Sequence, residues 1–163
     1  MIAKRHRPVL YLDLDDTLLT WASSQPLAAP GAREFVLWAL ERYEVRWLTR
    51  WCPSGVMSEQ HLQDLGRLLG IEPDLLRPIR GCAWNEAGSK LDGIAWLEHV
   101  VLERPFVWLE DEKGVGAREI EFLRKQRFID SYVKVNVTED PESLLRAHAV
   151  LRERLGRVRW FSG

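Results

Sequence analysis

The run Val9-Leu10-Tyr11-Leu12 stops abruptly at carboxylates, Asp13 and Asp15, with Asp16 and Thr17 beside them. Consecutive apolar residues without polar alternation read as a strand buried on both faces, the pattern of a parallel sheet covered on each side. Carboxylates at the end of such a strand are costly unless a cation or hydrogen-bond donors meet them. Asp13 and Asp15 therefore mark a site. A chain that begins this way must supply further strands to pair with the first and helices to cover it.

The remaining sequence supplies them in alternation. Residues 18–30, with Ser23, Ser24, Gln25 and two prolines, read as an irregular loop. Pro30-Gly31 then leads into a helix with Phe35, Trp38, Ala39 and Tyr43 on its inner side. Val45-Arg46-Trp47-Leu48-Thr49 is a second strand, ending in a hydroxyl. Ser58 is placed to cap a helix bearing Leu62, Leu65, Leu68 and Leu69, and Gly70 to stop it. Residues 75–79 read as a short strand and 85–89 as a turn. Ser89 opens a helix over residues 90–101, with Leu91, Ile94, Ala95, Leu97 and Val101 inward. Phe106-Val107-Trp108-Leu109 repeats the first strand's design, ending in Glu110-Asp111-Glu112. Next come a helix over 115–126 and a strand over 132–137. Asp140-Pro141 then read as N-cap and first residue of a helix with Leu144, His148, Leu151 and Leu155 on one face. His148 reads there as a satisfied, partly buried histidine rather than a ligand.

Strands alternating with helices predict an α/β fold, a parallel sheet with helices on both faces and ligand sites beyond the carboxyl ends of the strands. Asp13 and Asp15, Thr49, and Glu110 with Asp111 all fall at such ends. The 163 residues suit one domain with its core over about residues 8–156. No apolar run approaches the about 20 residues of a membrane span. No long apolar signal region follows Lys4, Arg5, His6 and Arg7, so the expected location is cytoplasmic. A net charge of -1 offers no global attraction for nucleic acid or an anionic membrane. Cys52 and Cys82 make neither a disulfide framework nor a zinc motif, and read as reduced. Among eight tryptophans, Trp38, Trp47, Trp96 and Trp108 lie in periodic segments and are expected in the core. Trp21, Trp51 and Trp84 lie in loops, where they are candidates for a substrate surface.

In order and spacing these residues resemble the haloacid dehalogenase (HAD) superfamily, most of whose members are phosphatases. The family's Asp-x-Asp-x-Thr after a strand is matched by Asp13-Leu14-Asp15-Asp16-Thr17. Its Thr or Ser ending the next strand is matched by Thr49, its Lys opening a helix by Lys90, and its acidic pair after a later strand by Glu110 and Asp111. The match runs from Val9 to about Val137. The resemblance implies a three-layer, doubly wound, Rossmann-like sheet and phosphomonoester hydrolysis through an aspartyl-phosphate. Asp13 would be the nucleophile and Asp15 the acid and base. Thr17 would hold the turn. Thr49, Lys90 and Leu14 would bind phosphate, Lys90 as a point charge reinforced by its helix N-terminus, with Arg50 in support. Mg²⁺ is the implied cofactor, held by Asp13, the carbonyl of Asp15 and an acid of the last motif. There the chain departs from the commoner pattern, because Glu110 stands where relatives usually have Asp. Either Glu110 reaches the metal or Asp111 supplies the ligand.

The second carboxylate argues for phosphate esters over dehalogenation, and the lack of membrane segments against a transport ATPase. The intervals 18–30 and 50–89 are too short for a folded cap. A capless site is open, which suits a large phosphorylated substrate: a phosphoprotein, a nucleotide or a nucleic-acid end, the last not indicated by the net charge. A partner chain could also close the cleft, and the oligomeric state is left open. Arg50, Trp51 and Trp84 near the mouth could hold a base, sugar or side chain by stacking and charge. Arg152, Arg154, Arg157, Arg159, Trp160 and Phe161 read as a solvated helix end and tail. A catalytically silent HAD-like binding module and a phosphotransferase using the same site are the alternative readings.

Overall fold

A computed structural model describes residues 7–97 and 104–157. Its centre is β1 (Val9–Leu12), whose four side chains are all fully buried. Burying aliphatic side chains of this size contributes about 1.5–3 kcal/mol each, which is why so short a strand can anchor a sheet. Parallel neighbours flank it: β4 (Glu44–Trp47) with Leu10 opposite Val45, and β6 (Phe106–Glu110) with Leu10 opposite Val107. β5 (Arg80–Gly81) pairs with β4 and β7 (Tyr132–Lys134) with β6, both parallel, giving the order β5-β4-β1-β6-β7. The result is an α/β structure with a five-stranded parallel sheet flanked by helices, compatible with a Rossmann-like fold.

Alternate β1 residues enter two apolar clusters. Leu10 and Leu12 join Val45, Trp47 and Leu109 against Phe35 of α1 (Ala32–Arg42), Leu65 of α2 (Glu59–Leu69) and Leu151 of α7 (Ser143–Arg157). Val9 and Tyr11 join Phe106 and Trp108 against Leu91, Ile94 and, from α6 (Ala117–Lys125), Leu123. The caps of α2 form as their residue types dictate. Ser58 Oγ accepts from His61 N at 3.1 Å, and Gly70 closes the helix at φ 65°.

Several local expectations are corrected. Residues 18–30 are not wholly irregular: β2 (Leu19–Thr20) and β3 (Leu27–Ala28) pair as an antiparallel hairpin. Residues 75–79, expected as a strand, fall largely in and just after α3 (Pro73–Leu76), because Pro73 sits at the helix start and its fixed φ suits that position. Sheet pairing resumes at β5, beyond Pro78, which has no N–H to offer a ladder. The expected turn at 85–89 is mostly α4 (Trp84–Ala87). Ser89 does cap a helix, accepting from Asp92 N at 3.1 Å, but that helix, α5 (Lys90–Asp92), passes at once into a π-helix over Gly93–Leu97. Trp96, expected in the core, lies in that π-helix and is 64% exposed. The last helix starts at Ser143, not Pro141, since Asp140 spends its carboxylate and carbonyl on Glu142 N and Ser143 N in a preceding turn. β7 ends at Lys134, short of Val137. Val101, Arg159, Trp160, Phe161 and residues 4–6 lie outside the described residues. Cys52 and Cys82 are free and buried, and burial, then the nearby Asp13, pushes the Cys52 thiol up to about 11. No helix among the described residues is long and apolar enough to cross a membrane.

Candidate functional site

Beyond β1 the chain stays in register for one more residue, Asp13 N donating to Leu109 O at 3.3 Å, and then turns sharply. The Leu14 carbonyl accepts from the N–H groups of Thr17, Leu18 and Leu19 at 3.2, 2.9 and 2.9 Å. Asp16, at φ 60°, occupies the left-handed region that Asp tolerates better than most residues. The turn is therefore held by backbone bonds. The Thr17 hydroxyl, expected to hold it, is buried with no hydrogen-bond partner among the described residues. Leu14 points into the core, fully buried.

Asp13 comes to rest 5% exposed, with Lys90 Nζ 3.1 Å from its Oδ1. The same ammonium donates to Glu110 Oε2 at 2.5 Å. Asp111, at the end of β6, is aimed by its own loop, its Oδ1 accepting from Lys113 N at 2.7 Å and Gly114 N at 3.3 Å. Carboxylate oxygens of Asp13, Glu110 and Asp111 all lie within 4.8 Å of one another. Glu110 fits here because residue 114 is glycine: a Cβ at that position would come within 2.7 Å of the Glu110 carboxyl carbon.

Three nearly buried carboxylates face one ammonium, and burial makes that imbalance expensive. Burial and then the Asp13 charge push Glu110 well above the usual carboxylate range. Burial likewise raises Asp111. Lys90 moves upward as well, because Asp13 and Glu110 outweigh the burial that disfavours its charge. Asp13, Glu110 and Asp111 together form an all-oxygen donor set that could hold a metal ion, a chemistry suited to a hard cation.

Asp15 faces the same crevice from another side and is held by donors that sequence reasoning did not pair with it. Trp21 Nε1 donates to Asp15 Oδ1 at 2.9 Å, and Trp51 Nε1 lies 3.2 Å from each of its oxygens. The loop position of these tryptophans was the only signal, since a tertiary contact between β1, the hairpin and the loop after β4 has no local pattern. Asp16 is the second residue passed over. Thr138 Oγ1 donates to its Oδ1 at 2.5 Å, Lys113 Nζ lies 3.2 Å from its Oδ2, and its carbonyl accepts from Val137 N at 2.8 Å.

Asp13, Asp15, Arg50, Lys90, Glu110 and Asp111 thus line one crevice of about 310 Å³, together with Asp16, Trp84 and Lys113 among others. Thr17, Leu14 and Thr49 are not on its walls. Thr49 lies past the end of β4, fully buried, with its hydroxyl accepting from Trp51 N at 3.3 Å and its carbonyl from Trp84 Nε1 at 3.1 Å. Lys90 opens α5, which runs on directly into the π-helix over Gly93–Leu97, so it lies in the first turn of a helical segment as expected. Comparison with models of protein families, with curated proteins and with solved structures finds no match to this chain.

Proposed function

We propose that the protein is a phosphomonoester hydrolase of HAD type, dependent on Mg²⁺ and working through an aspartyl-phosphate on Asp13. The observation that carries this reading is the buried cluster of Asp13, Glu110 and Asp111, with the Lys90 ammonium bridging Asp13 and Glu110 and Asp15 on the same crevice. In this reading one carboxylate serves as nucleophile, a second as proton carrier, and the others as cation ligands.

An Asp13 carboxylate oxygen attacks phosphorus as the ester P–O bond breaks, and Asp15 gives its proton to the departing alkoxide. Asp15, now a carboxylate, takes a proton from water as that water attacks phosphorus. The P–O bond to Asp13 breaks, and inorganic phosphate leaves with the carboxylate restored. Asp13, Asp111 and Glu110 would hold the cation, whose bound charge reduces repulsion between the attacking carboxylate and the phosphate dianion. Lys90 and Arg50 add positive charge where the equatorial oxygens would lie.

The same reading extends to the fold as three-layer and doubly wound, supported by the alternation of β1 side chains between two apolar clusters. It is also capless, since residues 18–30 hold only the β2–β3 hairpin and residues 50–89 hold α2, α3, β5 and α4. The test is hydrolysis of p-nitrophenyl phosphate with Mg²⁺ by the wild type and by Asp13→Asn. The variant is expected to lose about a thousandfold or more in kcat. Equal rates in both would remove Asp13 as nucleophile and the mechanism with it.

A further inference from the structure

Beside the acidic crevice lies a second cleft, of about 500 Å³, whose walls include Trp21, Trp51, His61, Asp64, Arg67 and Leu68. The mechanism leaves it unused. The two clefts are linked through Asp15, a wall residue of the first, because the indole N–H groups of Trp21 and Trp51, wall residues of the second, converge on that carboxylate. The aromatic walls are accordingly fixed by the group that protonates the leaving alcohol.

The remaining contacts hold these rings further. Trp21 N donates to Thr138 Oγ1 at 3.0 Å, so a tryptophan left 42% exposed is nonetheless tied down. Trp51 packs on His61 with ring centroids 5.1 Å apart. His61 Nδ1 lies 3.1 Å from the Trp51 carbonyl, which can only accept. Nδ1 therefore carries the proton, and in the neutral ring Nε2 is an acceptor. Asp64 and Arg67, paired at 2.7 Å, add acceptor and donor groups to the rim. Pre-set aromatic faces with polar groups at their edges suit a planar heteroaromatic ring, and the volume lies within the about 300–1,000 Å³ of small-molecule sites.

We propose that this cleft is the leaving-group subsite and that it takes the base of a nucleoside phosphomonoester, whether a free nucleotide or the terminal nucleotide of an oligonucleotide. The proposal rests on the phosphatase reading for its substrate, but the binding of a ring can be tested without turnover. Adenosine, which has no phosphate to lose, should quench the indole fluorescence of the wild type while glycerol does not. Trp51→Leu and the surface change His61→Ala should each weaken adenosine by about tenfold or more. In turnover with Mg²⁺, adenosine 3′- and 5′-monophosphates should exceed glycerol phosphate in kcat/KM by about tenfold or more, and His61→Ala should shrink that ratio. Comparing a mononucleotide with a 3′-phosphorylated oligonucleotide then assigns the source of the base.

Hydrolysis of p-nitrophenyl phosphate without adenosine binding, or with no preference for nucleotides over glycerol phosphate, overturns the subsite and leaves the phosphatase standing. Preference for a phosphotyrosine peptide over nucleotides overturns it too. Adenosine binding that both variants weaken, with no phosphate ester hydrolysed, keeps the base-binding cleft and removes the phosphatase.

Discussion

Glu110 and Gly114 act as a pair at the site. The longer acid is accommodated because nothing projects from residue 114, and a methyl group there would press on a carboxylate held by Lys90. Gly114→Ala is expected to cost about 1–3 kcal/mol in urea unfolding, the usual penalty of overpacking. It should also weaken Mg²⁺ binding measured by calorimetry, because Glu110 is displaced from Asp13 and Asp111. A denaturation midpoint equal to the wild type's would show that Glu110 moves aside freely. The acids themselves were legible in the sequence because charge directly after an apolar run breaks the pattern that built the strand. The hydroxyls of Thr17 and Thr49 were not, since a hydroxyl settles with whatever donor or acceptor the tertiary fold brings near. Here the Thr49 hydroxyl is engaged by its own loop, and that of Thr17 has no hydrogen-bond partner among the described residues.

Periodicity identified the elements that have room to repeat. α1, α2, β1, β4 and β6 follow their apolar spacing, and so do Leu91, Ile94 and Ala95, all buried; residues 75–79 do not, because Pro73 starts a helix there, and from Gly93 the helix after Ser89 takes a π form that the spacing does not encode. A Cβ on Gly93 would meet Cys82 Sγ at 2.9 Å and Trp84 Cβ at 2.9 Å, a packing demand that no helical pattern encodes. On α7, His148 fits the expectation of a partly buried histidine, but not of a satisfied one. Its ring lies against Phe35 and Trp38, with centroids 5.4 and 4.6 Å away, and its Nε2 is buried with no hydrogen-bond partner among the described residues. Burial, then Arg152, holds its pKa below the ordinary histidine value. The folded chain thus disfavours the proton that the unfolded chain accepts, so stability present above about pH 6.5 is lost as pH falls through the folded value. His148→Phe keeps the aromatic contacts and removes the titration. Its melting temperature should drop less than the wild type's between pH 7.5 and 5.5; an unchanged difference would place the acid sensitivity elsewhere.

Across the whole molecule, a cation held by the carboxylates at the carboxyl ends of the strands would link its binding to folding. Ligand that binds only the folded state stabilises it by mass action, about 2.7 kcal/mol at a hundred times its dissociation constant. For a chain of 163 residues this corresponds to a rise in melting temperature of roughly 5–10 °C. Mg²⁺ should produce it, EDTA should reverse it, and Asp111→Asn should blunt it. A melting temperature indifferent to Mg²⁺ in the wild type would count against the acidic cluster as a cation site.

Asp16 also bears on the order in which the molecule is assembled. Its contact with Thr138 joins residues 122 apart in the chain, and Val137 N reaches the same residue. Closing so long a loop is slow and yields its contacts late. β1 and β4 can pair early in synthesis, yet the rim of the crevice is tied only once β7 and the loop after it have emerged. A nascent chain therefore carries Asp13 and Asp15 long before the crevice is closed, which waits for the last strand among the described residues.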